Sequence, residues 1–208
     1  MSWFELGVVR RWREAQSSRW QPIISEALAA HIAGADRSAD LQLLRKQQPR
    51  LLEEYLVELL RSTQGSAHAR LAVLAADLQF TAQWERRFRS RNASRRREAV
   101  VRLGLVNRQT GREVMIAALA DAKDFVKLEA AQALIGWGGP SDIEEVFRTA
   151  TRQSPAVRAI ITEALRRYAP ALAEEALPAV LGSGEPQQRI VALQMFRAWG
   201  HAVQHTCQ

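Results

Sequence analysis

The chain has 208 residues, is 47% hydrophobic and 25% charged, and carries a formal net charge of +7. That length and apolar content allow an extended buried core and exclude a disordered polypeptide. The lone cysteine, Cys207, excludes an intrachain disulfide and suits a reducing compartment, while no run of 18 apolar residues marks a membrane span and no secretory signal pattern is present.

In chain order, Trp3 to Ala15 and Trp20 to Ala33 read as a helical pair ending before Gly34. Aromatic Trp3 and Phe4 followed by Arg10, Arg11 and Arg13 give the first helix the look of the cytoplasmic flank of a membrane span; an amphipathic first helix is the plainer reading. Leu41 to Gln47 and Pro49 to Arg61 form a second pair, with Pro49 in a first turn, where its missing N–H costs little. After a loop at Ser62 to Ser66, Ala67 to Leu78 and Ala82 to Phe88 form a degenerate repeat. Alternating β-branched runs bounded by turns are almost missing, so strands are not expected.

From residue 90 the chain becomes periodic at 31 residues. Leu103, Leu134, Leu165 and Phe196 share one phase, Ala99, Ala130, Ile161 and Ala192 a second, and Val106, Trp137, Tyr168 and Trp199 a third. A basic column, Arg96, Lys127, Arg158 and Arg189, keeps the same register. Within each repeat the apolar positions recur at spacings of three and four, which is helical. Breakers at Asn107 to Gly111, Gly136 to Pro140 and Ala169-Pro170 each precede a further apolar helix, with Pro140 and Pro170 in first turns and Gly138 and Gly139 as C-terminal caps. The expected fold is all-α: a right-handed α-solenoid of stacked helical hairpins. Residues 1–63 are read as amino-terminal capping hairpins and 64–208 as the repeats, in one continuous stack.

The runs Arg96 to Leu103, Lys127 to Leu134 and Val157 to Leu165 resemble the second helix of short bacterial HEAT repeats of the phycobilisome-lyase-like kind. In that family an Asp six residues before the basic position builds a ladder between neighbouring repeats. Asp121 before Lys127 matches, whereas Ser90, Arg152 and Ser183 do not, which implies that Arg96, Arg158 and Arg189 lack that partner. Certain members carry an amino-terminal membrane helix followed by a basic stretch, so the resemblance implies a cytoplasmic protein, with the cytoplasmic face of a membrane as a further location. The family fixes the fold and leaves function open.

Charge is concentrated. Between residues 85 and 102, Arg86, Arg87, Arg89, Arg91, Arg95, Arg96, Arg97 and Arg102 face only Glu85 and Glu98, so this window alone contributes +6. Guanidinium forks pair with phosphate or carboxylate oxygens, so the cluster fits nucleic acid, anionic lipid or an acidic protein segment. Arginine makes up 26 of the 29 basic residues, which equally fits a solvated basic face in an arginine-rich proteome. HEAT-like DNA glycosylases combine basic residues with an aromatic and carboxylate cluster; Trp137, Tyr168 and Trp199 with Asp142, Glu144 and Glu145 supply such ingredients, although the rings share the core stripe and fit gap-filling between repeats.

No phosphate loop, nucleophile elbow or metalloprotease motif is present. His201, His205 and Cys207 have ligand chemistry without a fourth ligand, His31 and His68 stand alone on helices, and nothing singles out a chromophore pocket. The sequence therefore predicts a monomeric, non-enzymatic scaffold without cofactor or metal that binds a protein partner on its concave face. Arg96, Lys127, Arg158 and Arg189 are the expected outward contacts, with Arg86, Arg87, Arg89, Arg91, Arg95 and Arg97 as an anion-binding set. The alternative is a nucleic-acid-binding or anionic-membrane module using the arginine cluster.

Overall fold

A computed structural model describes residues 19–106, 108–137, 139–150, 152–168, 170–182, 186–187, 189–194 and 197. The protein is all-helical, with no strand among the described residues. The helices are α1 (residues 19–32), α2 (Ser38–Gln47), α3 (Pro49–Ser62), α4 (Gly65–Asp77), α5 (Phe80–Phe88), α6 (Ala93–Gly104), α7 (Arg108–Leu119), α8 (Asp124–Trp137), α9 (Pro140–Ala150), α10 (Pro155–Tyr168) and α11 (Pro170–Gly182). A last helix, α12, occupies the described positions of 186–197. Residues 1–18 and Phe196, Trp199, His201, His205 and Cys207, each given an expectation above, lie outside the described residues, as does the side chain of Tyr168.

The chain divides into two compact units, Met1–Gln83 and Trp84–Gln208, with the division inside α5. In the first unit α4 packs on α3, as α3 does on α2. Leu28, Leu41, Leu52, Leu56, Leu71 and Phe80 are fully buried there. Gly34, at φ +96°, ends α1 in a Schellman turn: Gly34 N–H donates to His31 O at 3.0 Å and Ala35 N–H to Ala30 O at 2.9 Å. Arg45 lies 4.3 Å over the Phe80 ring and donates to Leu78 O and to Gln83 Oε1.

In the second unit the helices form two rows. α8 packs between α6 and α10, α9 lies against α7 and α11, and each helix of one row also touches the other row, as α7 does α8. The periodic apolar columns make this core. Leu103, Leu134 and Leu165 are buried, as are Ala99, Ala130, Ile161 and Ala192, and Val106 opens the third column in the same state. Burying each leucine contributes about 1.5–3 kcal/mol, so the interval of 31 is a record of inter-helix burial.

The first of the expected breakers is helical over its described positions. α7 already starts at Arg108, and Gly111 lies within it because its missing Cβ leaves room: a Cβ there would meet Trp137 Cη2 at 3.0 Å and Leu103 O at 3.1 Å. Gly138 lies outside the described residues, and Gly139 stands at the start of the next helix. Its carbonyl accepts from Asp142 and Ile143 N–H at 2.9 and 3.1 Å and opens α9.

Candidate partner-binding surface

The basic column was expected to point outward, and its first two members do not. The Arg96 side chain is 16% exposed and that of Asp121 6%. Arg96 Nε and Nη2 donate to the two Asp121 carboxylate oxygens at 2.6 and 2.9 Å, and Nη1 donates to Ser90 O and Arg91 O at 3.0 and 3.1 Å. Arg96 therefore has the ladder partner that the resemblance denied it, because the carboxylate comes from the following repeat. The guanidinium holds the Asp121 carboxyl below the ordinary aspartate range, with burial opposing and the Lys123 N–H assisting; the Arg96 pKa rises in return.

Lys127 is similarly enclosed, donating to Gln153 Oε1 at 2.9 Å and to Asp124 at 3.1 Å. Gln153, buried at the α9–α10 turn, does the work of the missing carboxylate one residue beyond the expected position, Arg152. Arg158 is half-buried and Arg189 is exposed. Both ladder positions seen here are structural ties between repeats, which corrects their reading as outward contacts.

The arginine cluster resolves into two sets. Arg97 donates to Glu129 Oε1 at 2.6 and 2.8 Å, joining α6 to α8, and Arg102 pairs with Glu98 at 2.7 Å. Arg87 is half-buried and engaged within the protein. Arg86, Arg89, Arg91 and Arg95 are exposed and have no ion-pair partner among the described residues. They sit on the last turn of α5, the α5–α6 loop and the first turn of α6. Asn92 caps α6, its side chain accepting from Ser94 and Arg95 N–H at 2.9 and 3.3 Å.

Of the glycosylase-like ingredients, Trp137 and Asp142 are engaged inside the protein. Trp137 Nε1 donates to Gly104 O at 3.2 Å while its ring lies over Gly111. Asp142 is fully buried and accepts from Arg112 Nε at 2.8 Å, and Glu145 pairs with Arg148. The lowered Glu163 pKa follows from its hydrogen bonds to Arg166 on an exposed helix face. Among the described residues no group of three metal-ligating side chains converges, and no helix is long and apolar enough to cross a membrane. The cleft of about 530 Å³ in the first unit is lined by His31, Asp36, Arg70 and small residues.

A scan against protein-family models finds no match, and a search of curated proteins finds none either.

Sequence reasoning missed the exposed apolar side chains of the second unit. Phe125 on α8 is 41% exposed, Ile160 on α10 47%, and Ile190 and Leu193 on α12 54% each. For Ile190 alone a signal was available one residue beyond the basic column. The register Arg97, Leu128, Ala159, Ile190 drifts from charged to apolar along the repeats.

Proposed function

We propose that the protein is a non-enzymatic scaffold of the HEAT-repeat kind, a right-handed α-solenoid, and that the outer side of its α6–α8–α10 row binds a protein partner. The observation that carries this is the exposed apolar set, above all Phe125 and Ile160, on a row whose inward positions are fully buried. Large side chains left partly in water suit a partner that covers them. The two-row packing supports the solenoid reading.

The test is site-specific photo-crosslinking in cells at Ile160. One discrete protein adduct is expected, and Phe125→Glu should abolish it. Absence of any adduct from positions 125, 160 and 190 alike would count against the scaffold. The four exposed arginines favour a second reading, binding of nucleic acid or an anionic membrane. In that case duplex DNA or anionic vesicles bind the chain at low salt and release it steeply as salt rises.

A further inference from the structure

We infer that the corner between α5 and α6 is an anion-binding anchor for an acidic stretch of the partner, with Arg86, Arg89, Arg91 and Arg95 as its ligating side chains. This rests on the partner-binding reading above and specifies the partner's chemistry.

Elsewhere in the second unit, arginines near carboxylates are paired with them: Arg96 with Asp121, Arg97 with Glu129, Arg112 with Asp142, Arg166 with Glu163. The four at the corner have no such pair among the described residues and stand together, whereas Arg152 and Arg189, also exposed without an ion pair there, stand singly. Like charges this close in the chain repel one another, and of the nearest acidic residues in sequence Glu85 is half-buried and Glu98 is paired with Arg102. A counter-charge supplied from outside removes that repulsion and gains charge-assisted hydrogen bonds to planar forks.

The corner is also held in place, which lowers the ordering cost of binding. Arg96 Nη1 bridges the carbonyls of Ser90 and Arg91 while the rest of its guanidinium is fixed by Asp121. Asn92 N–H donates to Ser90 Oγ at 3.2 Å, and Arg89 and Ser90 N–H donate back to Arg86 O and Arg87 O at 3.2 and 3.1 Å. Because the Asn92 side chain already occupies the first amides of α6, an anion meets guanidinium groups there and not the helix terminus. Arg96 is thus a positioning residue for the loop that carries Arg89 and Arg91.

The surroundings select an acidic polypeptide over a polyphosphate. Beyond the corner the row presents the Arg97–Glu129 and Glu98–Arg102 pairs, then Phe125, Ile160 and the exposed Glu163. A phosphate backbone leaving the corner would meet carboxylates and apolar side chains. A segment with carboxylates at one end and apolar side chains at the other meets opposite charge at α5–α6 and apolar surface at α8–α10. Base stacking is also unsupported at the corner, since Trp84 is fully buried and Phe88 half-buried.

The experiment measures binding of the whole chain to four labelled probes at about 0.15 M salt, where exposed charges act over roughly 8 Å. The probes are a synthetic peptide of a glutamate run followed by an amphipathic Leu/Ala helix, its glutamine counterpart, a short DNA duplex, and phosphatidylserine vesicles. The glutamate peptide is expected to bind and the glutamine peptide to bind at least about tenfold more weakly. Neutralising Arg86, Arg89, Arg91 and Arg95 to Gln should cost a similar factor with the melting temperature unchanged. If that variant fails to fold, Arg89→Gln with Arg91→Gln, both in the exposed loop, should still cost about threefold. The inference is overturned if the glutamate peptide does not bind, if neutralised variants bind it as well as the parent, or if duplex or vesicles bind more tightly. If the Ile160 adduct persists while the corner binds no acidic probe, the scaffold stands and this assignment alone falls.

Discussion

Two junctions of the second unit occupy the same place in the repeat and are tied by different chemistry. Between α6 and α8, the Arg96 fork takes both oxygens of Asp121 and two loop carbonyls. Between α8 and α10, the Lys127 ammonium reaches one neutral oxygen of Gln153. The apolar columns beneath the two are alike, with Leu103, Leu134 and Leu165 all buried. Burial is the constant of this architecture, and the polar tie adapts to whatever side chain the following loop provides. The difference has a consequence for the surface, because only the arginine version also fixes a loop.

The largest effect should come from a change that both junctions share. Leu134→Ala removes a fully buried side chain from α8, which packs against both α6 and α10. Denaturant unfolding should show a loss of about 2–5 kcal/mol; a loss below 1 kcal/mol would mean that the column is not the common interior. A change confined to the first junction should cost less. Gly111→Ala drives a methyl group into the Trp137 ring and the Leu103 carbonyl, and about 1–3 kcal/mol is expected from the same measurement.

Asp121→Asn separates the charged tie from the neutral one. It should cost about 1–2 kcal/mol near neutral pH, read by thermal unfolding. Because the folded-state pKa of Asp121 is depressed, its contribution is complete above the ordinary aspartate value of 3.8 and is lost as pH falls below it toward the folded-state value. The variant should therefore show a shallower stability loss in that acid range; an unchanged acid limb would show that the pair contributes nothing. The smallest effect is a gain. Gln153→Glu gives Lys127 a second carboxylate beside that of Asp124, and a stabilisation of under about 1 kcal/mol that fades with added salt is expected.

Much of the fold was legible because burial imposes a period on the sequence. Pro49, Pro140 and Pro170 each begin a helix, and Gly34 ends one, because their backbone restrictions act locally. Gly111 was misread for a related reason: a glycine signals a breaker in isolation, and only the approach of Trp137 explains one inside a helix. The ladder was misread because Arg152 keeps strict register while the accepting group, Gln153, lies one residue later on a turn. The exposed apolar set was hidden for the opposite reason. Phe125 and Ile160 resemble core residues in composition, and their helical phase separates them from the buried Val126 and Ile161 by a single position.

By itself the sequence determined that this chain is helical, where most helices begin and which columns face inward, since apolar spacing and helix-end residues act over one or two turns. Tertiary structure alone decided which arginines are spent on ion pairs and which stay in water. An Arg–carboxylate pair depends on where two loops meet across a junction, and that distance is set by the packing of whole helices.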